Sequence, residues 1–107
     1  MPVLWSPHAE ELLYDIVIGI AKALSPADGI RWECRLRQDA AQLADFPLLG
    51  TSIPSTCLQM IPDNADRLRQ IICNPYRIVY EPGEEEIHIL SIRHTRMLIA
   101  EGDTSWH

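Results

Sequence analysis

Between residues 67 and 96 the hydrophobic positions fall into three short runs that are separated by turn-forming residues. The runs are 67–73 (RLRQIIC), 76–80 (YRIVY) and 86–94 (EIHILSIRH). Asn74-Pro75 and residues 82–85 (PGEE) lie between them, and such residues favour turns because proline fixes φ while glycine and asparagine tolerate positive φ. The pattern therefore predicts a β-meander of three strands.

Apolar residues recur with a helical period nearer the start of the chain. The first stripe is Leu12, Ile16, Ile20 and Leu24, and the second is Trp32, Leu36, Ala40 and Leu43. A serine followed by proline precedes each stripe, at Ser6 and at Ser25, and this pair suits a helix start because serine caps free amides and proline fits the first turn. Since the connection is very short, two antiparallel helices in a hairpin are predicted.

The short apolar run of residues 3–5 (VLW) suits an edge strand. Together these elements predict an α+β fold, in which the helical hairpin packs on a small, mostly antiparallel sheet. One domain over residues 1–107 is expected, with its core at about residues 3–98. Residues 46–66, broken by four prolines and glycines, are predicted to form a long surface loop with a short helical turn near Asp63. The tail at residues 99–107 is expected to be mobile because it offers little to bury.

Consecutive apolar residues, Ile71-Ile72 and Ile78-Val79, interrupt strict alternation in the meander. Both faces of the sheet are therefore expected to carry apolar side chains. One face must take the helices. The other is expected to be covered by a partner, because exposed apolar area on a sheet commonly marks an interaction site.

The strand YRIVY at residues 76–80, followed by a turn and a strand that ends ILSIRHTR at residues 89–96, closely resembles the C-terminal sheet of the RelE/ParE toxin superfamily. The resemblance extends upstream to the Trp5-Ser6-Pro7 opening, the two helices and the loop FPLLG at residues 46–50, and so covers roughly residues 3–98. Members are the toxins of bacterial type II toxin-antitoxin pairs. The resemblance implies an antitoxin partner that wraps the toxin and a role in plasmid stabilisation.

Composition narrows the function further. The 107 residues have a formal net charge of −6, and no apolar run approaches the roughly 20 residues that span a bilayer. The start of the chain lacks a signal peptide, so a cytoplasmic location without membrane contact is expected. Three cysteines without paired spacing argue against a disulfide framework and a zinc site. Neither a phosphate loop nor another motif points to a cofactor or a metal.

The charge is distributed unevenly along the chain. Residues 1–66 carry nine acidic and four basic side chains, which gives −5, while residues 67–107 carry six and five, which gives −1. The arginines of the second part are Arg67, Arg69, Arg77, Arg93 and Arg96. On the sheet they are expected to make a local positive patch on an acidic body. Direct binding of nucleic acid by the chain alone is not expected, because such binding normally requires a basic surface.

The superfamily includes RelE-like enzymes that cut messenger RNA in the ribosome and ParE-like toxins that inhibit DNA gyrase. For RNA cleavage this chain would supply Arg69, Arg77, His94 and Arg96 around the scissile phosphate. Arg77 matches the arginine of the family's YR strand, and its structural alternative is an ion pair with Glu81 or Glu86. The family's lysines are replaced by Arg67 and Arg69, which are too basic to exchange protons near neutrality, and no tyrosine follows the last strand.

These departures favour a ParE-like toxin that binds DNA gyrase and does not catalyse a reaction. Arg93 and Arg96, together with the helical hairpin, are the expected target-binding residues. A cognate antitoxin is the other expected partner, and operator DNA is expected to be bound only through it. The sequence does not locate the antitoxin-binding residues. The alternatives are a RelE-like messenger RNA endonuclease and a degenerate binding module without toxicity.

Overall fold

The computed structural model describes all residues from Met1 to His107. Its strands are β1 (Val3–Trp5), β2 (Thr51–Ser52), β3 (Arg69–Cys73), β4 (Tyr76–Pro82) and β5 (Ile87–His94), and its helices are α1 (Pro7–Ala23) and α2 (Pro26–Ala41). Short 3₁₀ turns lie at Gln42–Ala44, Ser55–Cys57 and Glu101–Asp103. Neither helix is long and apolar enough to cross a membrane.

Both helices begin where the sequence predicts. Ser6 Oγ accepts a hydrogen bond from the Ala9 amide at 3.0 Å, and Ser25 Oγ accepts one from the Asp28 amide at 3.1 Å. Gly29, which costs helix stability in isolation, has a packing reason here: a Cβ at this position would lie 3.0 Å from the Val17 carbonyl oxygen of α1. The glycine therefore allows the two helices of the hairpin to approach closely.

The sheet has the order β1-β5-β4-β3-β2, with β1 parallel to β5 and all other pairs antiparallel. This arrangement confirms the predicted meander, the N-terminal edge strand and the α+β class. The sequence did not predict β2, which lies within the expected loop and pairs Thr51 and Ser52 with the start of β3. The helical turn expected near Asp63 is a hydrogen-bonded turn, while the 3₁₀ helix of this region lies earlier, at Ser55–Cys57.

Two hydrophobic clusters lie on opposite faces of the sheet, which we call the helix face and the second face. The helix-face cluster joins α1 and α2 to the sheet through residues such as Leu13, Leu36, Tyr80, Ile89 and Ile92. The second-face cluster consists of Ile53, Leu58, Leu68, Val79, Leu90 and Ile99. Because neighbouring strand residues point to opposite faces, Ile78 and Val79 contribute to different clusters.

The second face differs in part from the prediction that a partner covers it. The chain itself covers much of this face with Ile53, Leu58 and Leu68 from the predicted loop and with Ile99 from the tail, whereas a partner was expected there. Tyr80 fixes the start of the loop from the helix face, since its hydroxyl donates to the Pro47 carbonyl at 2.9 Å. The region is therefore part of the packed structure.

The tail also differs from the prediction that it has little to bury. Ile99 is fully buried, and its amide donates to the Cys57 carbonyl at 2.8 Å. Asp103 is 0% exposed, and the His107 carbonyl accepts a hydrogen bond from the His8 amide at 2.7 Å. Residues 99–107 thus pack across the second face and reach the start of α1.

Candidate functional site

Two arginines stand opposite each other on the second face. Arg77 of β4 is the cross-strand partner of Arg93 of β5. Arg77 directly precedes Ile78, and Arg93 directly follows Ile92, and both isoleucines belong to the helix-face cluster. Because neighbouring residues of a strand point to opposite faces, both arginine side chains point to the second face. Like charges in directly opposed cross-strand positions repel each other. The hydrogen-bond and ion-pair partners of each guanidinium therefore determine whether its charge is neutralised.

Arg93 is held by a buried carboxylate. Its Nε and Nη2 atoms donate to the two carboxylate oxygens of Asp103, each at 3.0 Å. His8 Nε2 lies 2.8 Å from Asp103 Oδ1, to which it donates in the Nε2-protonated tautomer, and the Ala100 amide donates to Oδ2 at 2.9 Å. Asp103 therefore joins the tail, β5 and the start of α1.

The pKa of Asp103 is lowered from its ordinary value. Burial is the largest single influence and would by itself raise the pKa, because it disfavours the charged carboxylate. The hydrogen bonds from Arg93, His8 and the Ala100 amide together outweigh it. The carboxylate is consequently ionised at neutral pH and neutralises the charge of Arg93.

Arg77 has no such partner. Its side chain is 7% exposed, Nη1 donates to Gln70 Oε1 at 2.9 Å and Nη2 donates to the Thr95 carbonyl at 2.8 Å. The Nε atom is buried without a hydrogen-bond partner. The two acids considered as its structural partners are engaged elsewhere, Glu81 with Arg67 and Glu86 with His88.

The four residues of the RNA-cleavage alternative are not brought together. Arg69 pairs with Tyr80 across the strands, which places it on the helix face, and its guanidinium donates to the Gly50 and Leu48 carbonyls. His94 also lies on the helix face, edge-on to Tyr76 with 5.9 Å between ring centroids. Arg77 points to the opposite face.

Arg96 lies in the turn after β5, where it is exposed. Its side chain takes part in no ion pair or hydrogen bond within the chain, although its amide donates to His94 Nδ1 at 3.1 Å. The predicted positive patch is therefore neutralised only in part: Arg67 and Arg93 have carboxylate partners, while Arg69 keeps its charge and donates to backbone carbonyls. Arg77 and Arg96 also keep their charge: Arg77 donates only to a side-chain amide and a backbone carbonyl, and Arg96 has no side-chain partner.

No group of three or more His, Cys, Asp or Glu side chains is arranged to hold a metal ion. Of the three free cysteines only Cys73 is buried, and its burial raises the pKa of the thiol to about 11. A thiol with this pKa is almost entirely protonated at neutral pH and is a poor nucleophile. Cys73 is therefore a packing residue of the helix-face cluster.

Sequence reasoning missed Asp103 and His8 as parts of this site. Nothing in the local sequence connects two residues 95 positions apart. Their meeting depends on the path of the tail across the second face.

The helical hairpin on a mostly antiparallel sheet with arginines at its strand ends defines the class of small RelE/ParE-like toxins. Residues 3–99 match the family model described as the ParE toxin of the type II toxin-antitoxin system parDE. The chain therefore belongs to the ParE toxin family of type II toxin-antitoxin systems, as the sequence resemblance indicated.

Among solved structures, the chain is similar in fold to the chromosomal ParDE TA system from P. aeruginosa, with a TM-score of 0.70 and 18% sequence identity. The similarity covers 88% of this chain and 95% of the other chain. No curated protein matches the sequence. At this level of identity the likeness supports the fold, and the family match carries the assignment.

Proposed function

We propose that this ParE family toxin acts by binding and inhibiting DNA gyrase, and that a cognate antitoxin neutralises it. The observation that carries the proposal is the separation of Arg69 and His94 from Arg77, which lie on opposite faces of the sheet. Cleavage of RNA needs its cations and its proton-transfer groups around one phosphate. A toxin that acts by binding has no such requirement.

The proposed target-binding surface includes Arg96 and the exposed side of the helical hairpin. Arg96 is free to pair with an acidic group on the target. Tyr14 of α1 and Ile30 of α2 are 65% and 61% exposed, and large exposed side chains of this kind are common anchors in protein interfaces. Arg93, whose charge is neutralised by Asp103, supports the surface chiefly by holding the tail and the end of β5 in place.

A gyrase supercoiling assay with purified, antitoxin-free protein tests the proposal. Titration of the toxin is expected to inhibit supercoiling and to trap cleaved DNA. Arg96→Ala is expected to weaken inhibition by about tenfold, the effect of a lost charge pair in an interface. Arg67→Ala is the matched control, because Arg67 is an exposed arginine in the turn before β3, outside the proposed surface, and its surface ion pair with Glu81 contributes little.

Gyrase that is unaffected by a large molar excess of folded toxin would contradict the proposal. The same protein is then added to translating ribosomes, and messenger RNA cleavage is measured with Arg77→Ala as the comparison. Cleavage that disappears in Arg77→Ala while the fold is retained would establish the RelE-like alternative. Inactivity in both assays would indicate the non-toxic binding module.

A further inference from the structure

Arg77 and Asp103 are the two buried charged side chains of the protein, and they differ in how their charge is balanced. Asp103 accepts hydrogen bonds from two side chains and one amide. Arg77 has no carboxylate within ion-pairing distance, although the chain has 15 acidic and only nine basic residues. Four other arginines have acidic partners: Arg31, Arg37, Arg67 and Arg93. Arg35, Arg69 and Arg96 likewise have no acidic partner, but they are not buried, so Arg77 is the buried arginine without a counter-charge.

A guanidinium has five N–H donors in a planar fork. Arg77 uses one donor on Nη1 for Gln70 and one on Nη2 for the Thr95 carbonyl, while its Nε donor is buried without a partner. Burying a cation without a counter-ion is unfavourable, and neutral oxygen atoms relieve that cost only in part. The unbalanced charge points to an anionic ligand, and the buried Nε donor, which is itself out of a ligand's reach, adds to the cost that such a ligand would offset.

The residue beside Arg77 indicates what carries the anion. Ile72 of β3 is the direct cross-strand partner of Arg77 and points to the same face. Ile72 is 54% exposed, whereas the aliphatic residues that form the second-face cluster are buried. Directly opposed residues on neighbouring strands have Cβ atoms about 5 Å apart. An uncompensated cation and an exposed aliphatic side chain are therefore within reach of one short peptide.

We propose that Arg77 anchors the carboxylate of an Asp or Glu side chain in a segment of a partner protein, and that an aliphatic neighbour in that segment covers Ile72. The inference rests on the proposed function only in taking the antitoxin as the protein that carries the segment. A nucleic acid is disfavoured as the occupant, because its backbone offers no apolar group for Ile72 and the chain is strongly acidic. A single carboxylate also suits the planar fork of arginine.

The direct test follows the Arg77 Nε–H resonance in ¹⁵N-labelled protein by NMR. The resonance is assigned by its loss in Arg77→Lys. The probes are the blocked peptide acetyl-Val-Glu-Val-amide, its Gln counterpart, inorganic phosphate and a short oligoribonucleotide, each titrated to about 10 mM because one charge pair gives weak affinity. The Glu peptide is expected to shift the Arg77 resonance at least about tenfold more strongly than the Gln peptide, since arginine favours a charged acceptor.

A second variant tests the site even if Arg77→Lys does not fold. Ile72→Glu places a carboxylate in the exposed cross-strand position and is expected to shift the Arg77 resonance, raise the Tm and abolish the response to the Glu peptide. Ile61→Glu is the matched control, because Ile61 is an exposed isoleucine, 71% accessible, in the loop before β3. It is expected to change none of these readouts.

Three results would overturn the inference. An Arg77 resonance that responds to no probe and is unchanged in Ile72→Glu would mean that the guanidinium cannot be reached. Equal responses to the Glu and Gln peptides would remove the role of charge, and a response limited to phosphate or the oligoribonucleotide would identify a nucleic-acid site. The NMR titration tests only the Arg77 site, and the supercoiling assay tests only gyrase inhibition. A failure of one proposal is therefore distinguishable from a failure of the other.

Discussion

The substitution Asp103→Ala tests whether a single buried carboxylate holds the tail on the sheet. It removes the acceptor of both hydrogen bonds from Arg93 and of the hydrogen bonds from His8 and the Ala100 amide. Removing one partner of a buried ion pair costs about 3–5 kcal/mol, because the other charge is left unpaired. The Arg93 side chain is 23% exposed and regains some hydration, so we expect a loss of about 2–4 kcal/mol.

Urea unfolding followed by far-UV circular dichroism measures this loss, and a loss of about 2 kcal/mol corresponds to a Tm lowered by about 10 °C. Amide hydrogen exchange should also accelerate at residues 99–104, where the Asp103 contacts hold the chain. Glu101→Gln is the matched control, because Glu101 is an exposed acid of the same segment whose side chain makes no hydrogen bond. A loss below about 1 kcal/mol with unchanged exchange in the tail would refute the reasoning.

The same carboxylate gives a pH dependence of known sign. The pKa of Asp103 is lowered in the folded protein from its ordinary value of 3.8. Its contribution to stability is therefore fully present above pH 3.8 and is lost as the pH falls through the folded pKa, because the folded state must then bind a proton that it resists. The stability difference between the wild type and Asp103→Asn should shrink as the pH falls below about 4.

Two further predictions concern packing. Gly50→Ala is expected to lower the free energy of unfolding by about 1–3 kcal/mol, because the new Cβ would clash with the Gln70 carbonyl oxygen. Gly19→Ala, on the exposed side of α1, is expected to raise it by up to about 1 kcal/mol, because its new Cβ meets nothing within 4 Å. Thermal unfolding distinguishes the two variants, and equal changes in their Tm would contradict the tight packing at Gly50. Iodoacetamide should alkylate exposed Cys34 before Cys73, whose pKa is about 11, and mass spectrometry showing the reverse order would contradict the assigned burial.

Local sequence determined the secondary structure because the decisive interactions are local. Ser6 and Ser25 cap helices through amides three residues away, and the meander is fixed by alternation and by turn residues. The combination of these elements with the YRIVY strand was specific enough to indicate the RelE/ParE toxin superfamily.

The balance of charge at the candidate site was decided only by the tertiary structure. Strand parity places Arg77 and Arg93 on one face, but no local rule assigns Asp103 to one of them and leaves the other without an acid. The same holds for the covering of the second face, because Ile53 and Ile99 come from segments that lack any periodic pattern. Contacts between residues far apart in the chain depend on the paths of irregular segments, and those paths follow from global packing, which local propensity does not encode.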